Sequence, residues 1–359
     1  MKLLMLTRYS IMGSSSRVRF FQYIPYLCSV GWTVEVDSLL SDAYLHQLYS
    51  NKKRNLGLVF TSYLRRIVQL LRNTSFDIIW IEKELWQWAP AWFENYILRN
   101  NQNRYILDYD DAIFHNYNRH RNSVVRMIYA NKIKNIMGGS YCIFAGNEYI
   151  ANYARAAGAK MVEIIPSVVD MNRYGKGALS EKNNRGVFTI GWIGSPSTSK
   201  YLKVIEEPLR LLSKSHPIEL QVIGSADAQL SGFPVRYIDW SEETEVENIQ
   251  HFDVGVMPLL NSPWECGKCG FKLIQYMACG KPVIASPVGV NKEIVDEDVN
   301  GYLAETSLDW FNALKRLCED HDKAQKMGFR GRERVNQSYS LDATAPRIHE
   351  IFLRLIDLA

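Results

Sequence analysis

The sequence predicts an α/β protein built from two doubly wound domains in tandem. Three observations carry that prediction: the chain length, two successive series of short apolar strands separated by helical stretches, and a polar stretch between the series. At 359 residues the chain is longer than the roughly 250–300 residues at which a single hydrophobic core stops growing. An apolar share of 47% with 22% charged residues is that of an ordinary globular protein and excludes a disordered chain.

The first series opens with strands at residues 3–6 and 33–36. Between them, residues 18–30 read as a helix from the periodicity of Phe20, Phe21, Ile24 and Leu27, giving one strand-helix-strand unit. Apolar runs at 78–81, 105–107 and 142–145 continue the pattern. The second series comprises 188–193, 219–223, 235–237, 254–257 and 282–285. Strands alternating with helices argue for parallel sheets covered on both faces. Residues 175–186 hold Lys, Ser, Asn and Gly without apolar periodicity and read as the linker. The expected domains are therefore 1–175 and 176–340. Residues 341–359 follow as a terminal helix, amphipathic through Ile348, Ile351, Phe352 and Leu355.

Charge is unevenly spread behind the net +4. Residues 1–170 hold 20 Lys/Arg against 13 Asp/Glu, and the rest 22 against 25. A basic half can favour anionic lipid or nucleic acid, or is a solvated surface; of these partners an anionic membrane is kept and nucleic acid is not expected. No stretch approaches the run of about 18 apolar residues that a membrane span needs. The N-terminus meets Arg8 too soon for a signal segment and reads as a buried strand. Six scattered cysteines suit a reducing compartment, so a cytoplasmic protein is expected.

Two strand-to-helix loops in the second domain have the chemistry of anion sites. Phe188-Thr-Ile-Gly-Trp-Ile-Gly194-Ser-Pro-Ser-Thr-Ser-Lys200 is a strand, a glycine, a hydroxyl-rich loop and a lysine. Gly194 lets the backbone approach a ligand, Ser195, Thr198 and Ser199 can cap the helix or donate to phosphate oxygens, and Lys200 adds positive charge. An ordinary Ser/Thr-capped turn has the same pattern. In the second loop Gly267 and Gly270 flank Lys268, Lys272 opens a helix running through Met277, and Gly280 ends it. The amides of Phe271, Lys272, Leu273 and Ile274 fall in the first turn. Two such helix starts, each with a lysine, suit a diphosphate.

Ala278-Cys-Gly-Lys-Pro-Val-Ile-Ala-Ser-Pro-Val-Gly289, preceded by Asp253-Val-Gly-Val-Met-Pro258 and followed by Asn300-Gly-Tyr-Leu303, resembles the donor-binding domain of the retaining GT-B glycosyltransferases of the family 4 type. Met327-Gly-Phe-Arg-Gly-Arg-Glu-Arg-Val and Tyr339-Ser-Leu resemble that family's closing helices, so the likeness spans roughly 188–355. It implies a GT-B fold, two Rossmann-like domains facing a central cleft with the last helix returning to the first. It also implies transfer of a sugar from a nucleotide-sugar to a glycan or lipid-linked acceptor with retention of configuration, as in surface polysaccharide or glycoconjugate synthesis. The nucleotide-sugar is a substrate, and neither a metal nor another cofactor is implied. A nucleotide-sugar epimerase of the same architecture and a non-catalytic binding partner are the alternatives.

The chain departs from the family where two glutamates are usual, offering Gly267 and Gln275. Gln275 retains the ability to bond a ribose hydroxyl, and Glu265 is a candidate to meet the sugar. In the first phosphate loop Ser195 occupies the usual arginine position and Lys200 lies close to the lysine position, with Lys268 or Lys272 as compensating charges. Lys200, Lys272 and the helix amides are then expected to stabilise the departing phosphate. Trp240, after the strand at 235–237, is a candidate neighbour of the base.

In the first domain, Gly13 with Ser14, Ser15 and Ser16 stands where the family has its glycine-rich loop. Arg17 and Arg19 either contact a phosphate or face solvent on the first helix, with Arg17, nearer the loop, the better candidate. Asp108-Tyr-Asp110-Asp111 follows a strand, at the end of the sheet where ligands bind. Asp110 or Asp111 stands where relatives have a histidine and is expected to orient the acceptor or the sugar. Glu82 and Glu84 form a second pair on that rim, and His115 is a possible substrate contact. Cys266-Gly-Lys-Cys269 lacks the second pair that a structural zinc needs. Lys52-Lys-Arg54 followed by Leu56 through Leu71, with Arg65, Arg66 and Arg72 interspersed, reads as a basic amphipathic helix that either covers the sheet or lies on an anionic membrane.

Overall fold

The computed structural model of the chain describes residues 1–44, 47, 56–71, 76–100, 104–174 and 186–357. Lys52, Lys53, Arg54, Arg72 and most of the stretch read as a linker lie outside them. The chain divides into two compact units. The first comprises Met1–Ser167, Gly267–Cys269 and Thr344–Ala359, the second Val168–Cys266 and Gly270–Ala343. The division falls after Ser167 rather than at 175.

Six parallel strands form the sheet of the first unit: β1 (Lys2–Tyr9), β2 (Thr33–Leu40), β3 (Ile78–Glu82), β4 (Arg104–Tyr109), β5 (Cys142–Ala145) and β6 (Val162–Ile164), in the order β2-β1-β3-β4-β5-β6. Its central strands are continuous apolar runs because both faces are covered. Leu4, Leu6, Ile79 and Ile81 face a core shared with Leu70, Ile97, Leu98 and Ile133. Trp80 and Phe144 point the other way, since successive side chains alternate. The helix Leu341–Asp357 covers that face. Its Phe352 lies 5.4 Å from Trp32, 5.5 Å from Trp80 and 6.1 Å from Phe144, ring centre to ring centre.

The second unit repeats the plan with β7 (Phe188–Ile193), β8 (Ile218–Ile223), β9 (Val235–Ile238), β10 (Val254–Met257), β11 (Val283–Ala285) and β12 (Gly301–Leu303), all parallel, in the order β12-β11-β10-β7-β8-β9. Leu273, Ile274 and Met277 of the helix Phe271–Ala278 pack with Val283 and Ala285 on one side. Leu209, Leu212, Trp310 and Leu314 pack with Ile190 and Val254 on the other.

Strand order reverses between β1 and β3 in the first sheet and between β7 and β10 in the second. Open α/β sheets bind ligands just beyond the carboxyl ends of strands at such points. There stand the turn before Gly13 and Lys83 in one unit, and the loop from Gly194 in the other.

Candidate functional site

In the second unit, Gly194 follows β7 for a steric reason. A β-carbon there would stand 2.7 Å from the Trp192 ring and 2.7 Å from Lys272 Nζ. The bare glycine leaves room for the Lys272 ammonium to lie 4.3 Å from the Trp192 ring centre, a cation–π contact, and to donate to Thr198 Oγ1 at 3.3 Å. Lys272 therefore spans the two phosphate-type loops found in the sequence.

The hydroxyls of the first loop are mostly occupied. Thr198 Oγ1 donates to the Ser195 carbonyl at 3.0 Å, and Ser195 and Ser197 share a hydrogen bond of 2.9 Å. Ser199 is buried and donates to the Pro196 carbonyl at 2.9 Å, so its hydroxyl is not presented as a phosphate donor. Lys200 is exposed, its Nζ 5.1 Å from the Tyr201 ring centre.

Gly270 caps the helix Phe271–Ala278 with φ at 64°, a left-handed conformation that favours glycine. Its carbonyl accepts from the amides of Leu273 at 2.9 Å and Ile274 at 3.4 Å. This corrects the expectation that four first-turn amides face a ligand, because those of Leu273 and Ile274 are spent inside the helix and their side chains are core. The amide of Phe271 precedes the first helical bond and has no intrahelical acceptor.

Glu265 is buried and accepts from the hydroxyls of Tyr201 and Ser262. Burial raises its pKa, but those two hydrogen bonds, its backbone amide and the charge of Lys200 together hold it below the ordinary value. Gln275, also buried, donates from Nε2 to Tyr174 Oη at 2.8 Å. The Tyr174 hydroxyl in turn donates to Glu245 Oε1, and the Trp240 indole donates to Glu245 Oε2 at 2.7 Å.

The first unit gathers a charged cluster at its switch point. Gly13 precedes the helix Ser14–Arg19, and a β-carbon on it would fall 2.4 Å from Tyr9 Cβ. Ser14 is exposed, while Ser15 donates to Asp110 Oδ2 at 2.6 Å and to Glu82 Oε1 at 3.0 Å. Ser16 donates to Glu82 Oε2 at 2.6 Å. Lys83, just past β3 at φ 66°, an uncommon conformation outside glycine, pairs with Asp110 Oδ1 at 2.8 Å. Burial raises the Asp110 pKa, yet Lys83 and the Ser15 hydroxyl keep it below the usual carboxylate range. Burial likewise opposes the charge on Lys83, and Asp110, Asp111 and Glu82 more than restore it, so its pKa is raised.

Several expected ligand contacts have internal partners in this unit. Arg17 donates to the Ile11 carbonyl at 3.3 Å. Arg19 is fully buried, pairing with Asp108 at 2.8 Å and donating to the Ile165 carbonyl at 2.7 Å, which corrects its reading as a phosphate contact. Glu84 pairs with buried Lys132 at 2.7 Å and accepts from Tyr117. His115 is tied to Tyr149 at 2.8 Å and Asn118 at 3.0 Å.

Gly267–Cys269 also belong to the first unit. Lys268 pairs with Asp111 at 2.9 Å, so its charge is taken up there rather than at the loop of Gly194. The Cys269 thiol donates to the Asp110 carbonyl at 2.8 Å, and burial raises its pKa. A β-carbon on Gly267 would meet Ala112 Cβ at 2.3 Å and the Ala112 amide nitrogen at 2.8 Å. The position where a glutamate was expected thus has no room for any side chain.

Residues 187–320 match the family model described as Glycosyl transferases group 1. Over these residues the second unit matches a group 1 glycosyltransferase domain. Over 87 residues, 24% of this chain and 21% of the relative, the chain is 33% identical to the alpha-1,3/1,6-mannosyltransferase ALG2 of Dictyostelium discoideum. The chain spans less than half the length of the curated relatives it matches. Its fold is that of sucrose-phosphate synthase from Thermosynechococcus elongatus, with a TM-score of 0.72 at 18% identity over 100% of both chains. Anabaena HepE, solved with UDP and glucose, has a TM-score of 0.72 at 16% identity over 99% of this chain and 100% of that one. The architecture is GT-B.

Within the second unit the sequence pointed to Gly194, Thr198, Lys272 and Gln275, and missed Tyr174, Tyr201 and Glu245. Tyr201 follows Lys200 directly and was open to notice. Tyr174 and Glu245 had no motif around them. In the first unit Lys83 was passed over between Glu82 and Glu84, although its place at the end of a strand is the signal that marked Asp110. Among the described residues, no group of three His, Cys, Asp or Glu side chains is placed to hold a metal ion.

Proposed function

We propose that this protein transfers a sugar from a nucleotide-diphosphate donor to a glycan or lipid-linked acceptor, with retention of configuration, in surface polysaccharide or glycoconjugate synthesis. The observation that carries the reading is Lys272, half-buried beside Gly194 and joined to Thr198 at a switch point of the sheet. A lysine held in this way, near the helix start at Phe271, is a preorganised site for the charge that grows on a departing diphosphate. Gln275 lies three residues further on the same helix, on the same face, and meets the ribose. Trp240 meets the base. Glu265 meets the sugar and Lys200 assists Lys272. Retention requires no protein base, because a donor phosphate oxygen takes the acceptor proton. With lysines supplying the positive charge, turnover requires no metal.

Asp110, held ionised by Lys83, orients the acceptor or the transferred sugar. The helix Leu56–Leu71 supports a peripheral contact with the inner face of an anionic membrane. It buries Leu70 and Arg66 but leaves Phe60, Leu64, Val68 and Leu71 exposed on its opposite side, and Arg65 stands among them, 54% exposed. Among the described residues no helix is long and apolar enough to cross a membrane.

The direct test is a thermal-shift panel of UDP, GDP and CMP, followed by nucleotide release from the matching sugar donor with and without acceptor. HepE was solved with UDP, so UDP comes first. A specific ligand raises the melting temperature by mass action. No shift with any of the three refutes the reading, and binding without release reduces it to a non-catalytic partner. Co-sedimentation with vesicles containing an anionic phospholipid tests the membrane contact, which is rejected if Phe60→Ser with Val68→Ser leaves binding unchanged.

A further inference from the structure

Glu245 is a carboxylate with 4% exposure that no phosphate or sugar role uses. Its surroundings are organised toward two other side chains. Oε1 accepts the Tyr174 hydroxyl and the Arg173 guanidinium, the latter at 3.1 Å, and Oε2 accepts the Trp240 indole at 2.7 Å. Because Tyr174 gives its only proton to Glu245, its oxygen can serve Gln275 only as an acceptor. The 2.8 Å bond from Gln275 Nε2 obeys that constraint. The orientation of the Gln275 amide is thereby settled, with Nε2 toward Tyr174 and Oε1 turned away. Gln275 is 4% exposed, and among the described residues no donor reaches its Oε1. Turned away from Tyr174, that carbonyl oxygen is the end of the amide that can accept from a ligand hydroxyl.

We propose that Glu245 is a positioning residue for nucleoside recognition, aiming the Gln275 carbonyl oxygen at a ribose hydroxyl through Tyr174 and holding the Trp240 ring for the base through its indole. This inference rests on the donor-site reading given above and adds to it the residues that set ribose selectivity. Lys272 precedes Gln275 by three residues on one helix face, so a ligand whose diphosphate meets Lys272 carries its ribose about one turn along. A glutamate at 275 would compete with Glu245 for the single Tyr174 proton. Glutamine avoids that conflict, and the negative charge sits one hydrogen bond further back, balanced by Arg173. Trp240 is 39% exposed, and its indole N–H is anchored on Glu245.

The test measures affinity of the full chain for UDP, GDP, their 2′-deoxy and 3′-deoxy counterparts and pyrophosphate, by calorimetry. Wild type is expected to prefer the ribonucleotide by about 10-fold over one deoxy form, the worth of one hydrogen bond. Tyr174→Phe, Glu245→Gln and Gln275→Ala should each cut that ratio below about 3-fold and leave pyrophosphate affinity unchanged. Retained pyrophosphate binding also shows that a variant is folded, which separates positioning from a structural role. Binding with undiminished ribose preference in Tyr174→Phe and Glu245→Gln overturns this inference alone. If wild type binds none of these compounds, the donor-site reading falls and this inference with it.

Discussion

One methyl group at position 267 should destabilise the protein. The β-carbon of Gly267→Ala would stand 2.3 Å from Ala112 Cβ, 2.8 Å from its amide nitrogen and 3.1 Å from its Cα. Carbon atoms rest at about 3.5–4.0 Å, so one side must retreat by more than an ångström. The obstructing atoms are backbone and a β-carbon, which cannot swing aside as the end of a long side chain can. Overpacking of this kind costs about 1–3 kcal/mol, and each kcal/mol lowers the melting temperature by about 2–4 °C in units of this size. Gly267→Glu should cost at least as much and gain no activity. Adding Ala112→Gly to Gly267→Ala removes the shortest contact and should recover part of the loss. Thermal unfolding by circular dichroism reads all of these variants. A Gly267→Ala protein that melts with the wild type would refute the steric account of the glycine at 267.

Two further outcomes concern the first unit. Phe352→Ala should lower stability by about 3–5 kcal/mol, because the ring stands among Trp32, Trp80 and Phe144; denaturant unfolding checks it, and a loss under 1 kcal/mol would contradict the packing described. Glu94 is buried beside Lys132 at 2.9 Å, and burial, with Glu84 near, pushes its carboxyl up from 4.5 to about 7 against the pull of Lys132. The folded state thus holds this proton more tightly than the unfolded chain, so the contribution is fully present below about pH 4.5 and is lost as pH rises through about 7. Glu94→Gln should flatten that part of the stability–pH curve, and an unchanged slope would dismiss Glu94 as its source.

The architecture was legible because parallel strands buried on both faces must be apolar throughout, and most of the ten runs stood out in that way, the edge strands at 33–36 and 235–237 being the more polar ones. The two strands that were missed, Val162–Ile164 and Gly301–Leu303, are three residues long, too short to show a run or a period. The helix read over 18–30 is in fact Ser14–Arg19, a 3₁₀ turn Phe21–Tyr23 and Ile24–Ser29. Pro25, which lacks an N–H, sits in the first turn of the last piece, where that lack is tolerated. The apolar periodicity survives the break and conceals it. In the site, Gly194 and Lys272 were readable from local loop chemistry. The Glu245 arrangement was not, since Tyr174 meets Glu245 across 71 positions and Gln275 across 101. Partners so distant in sequence leave no spacing to read. Arg19 misled for a related reason: a basic residue near a phosphate-type loop and a buried partner of Asp108 look alike until Asp108 is brought alongside.

The central claim is that Lys272, held between Gly194, Trp192 and Thr198, stabilises the leaving diphosphate of a nucleotide-sugar. Steady-state nucleotide release by wild type, Lys272→Ala and Lys200→Ala, on the donor that the nucleotide panel selects, tests it most directly. Lys272→Ala is expected to lose about 10²–10³-fold in kcat, as for removal of one preorganised charge-stabilising donor, while its melting temperature stays near that of wild type. Lys200→Ala, whose ammonium is exposed, is expected to lose less. Full turnover in Lys272→Ala would contradict the account.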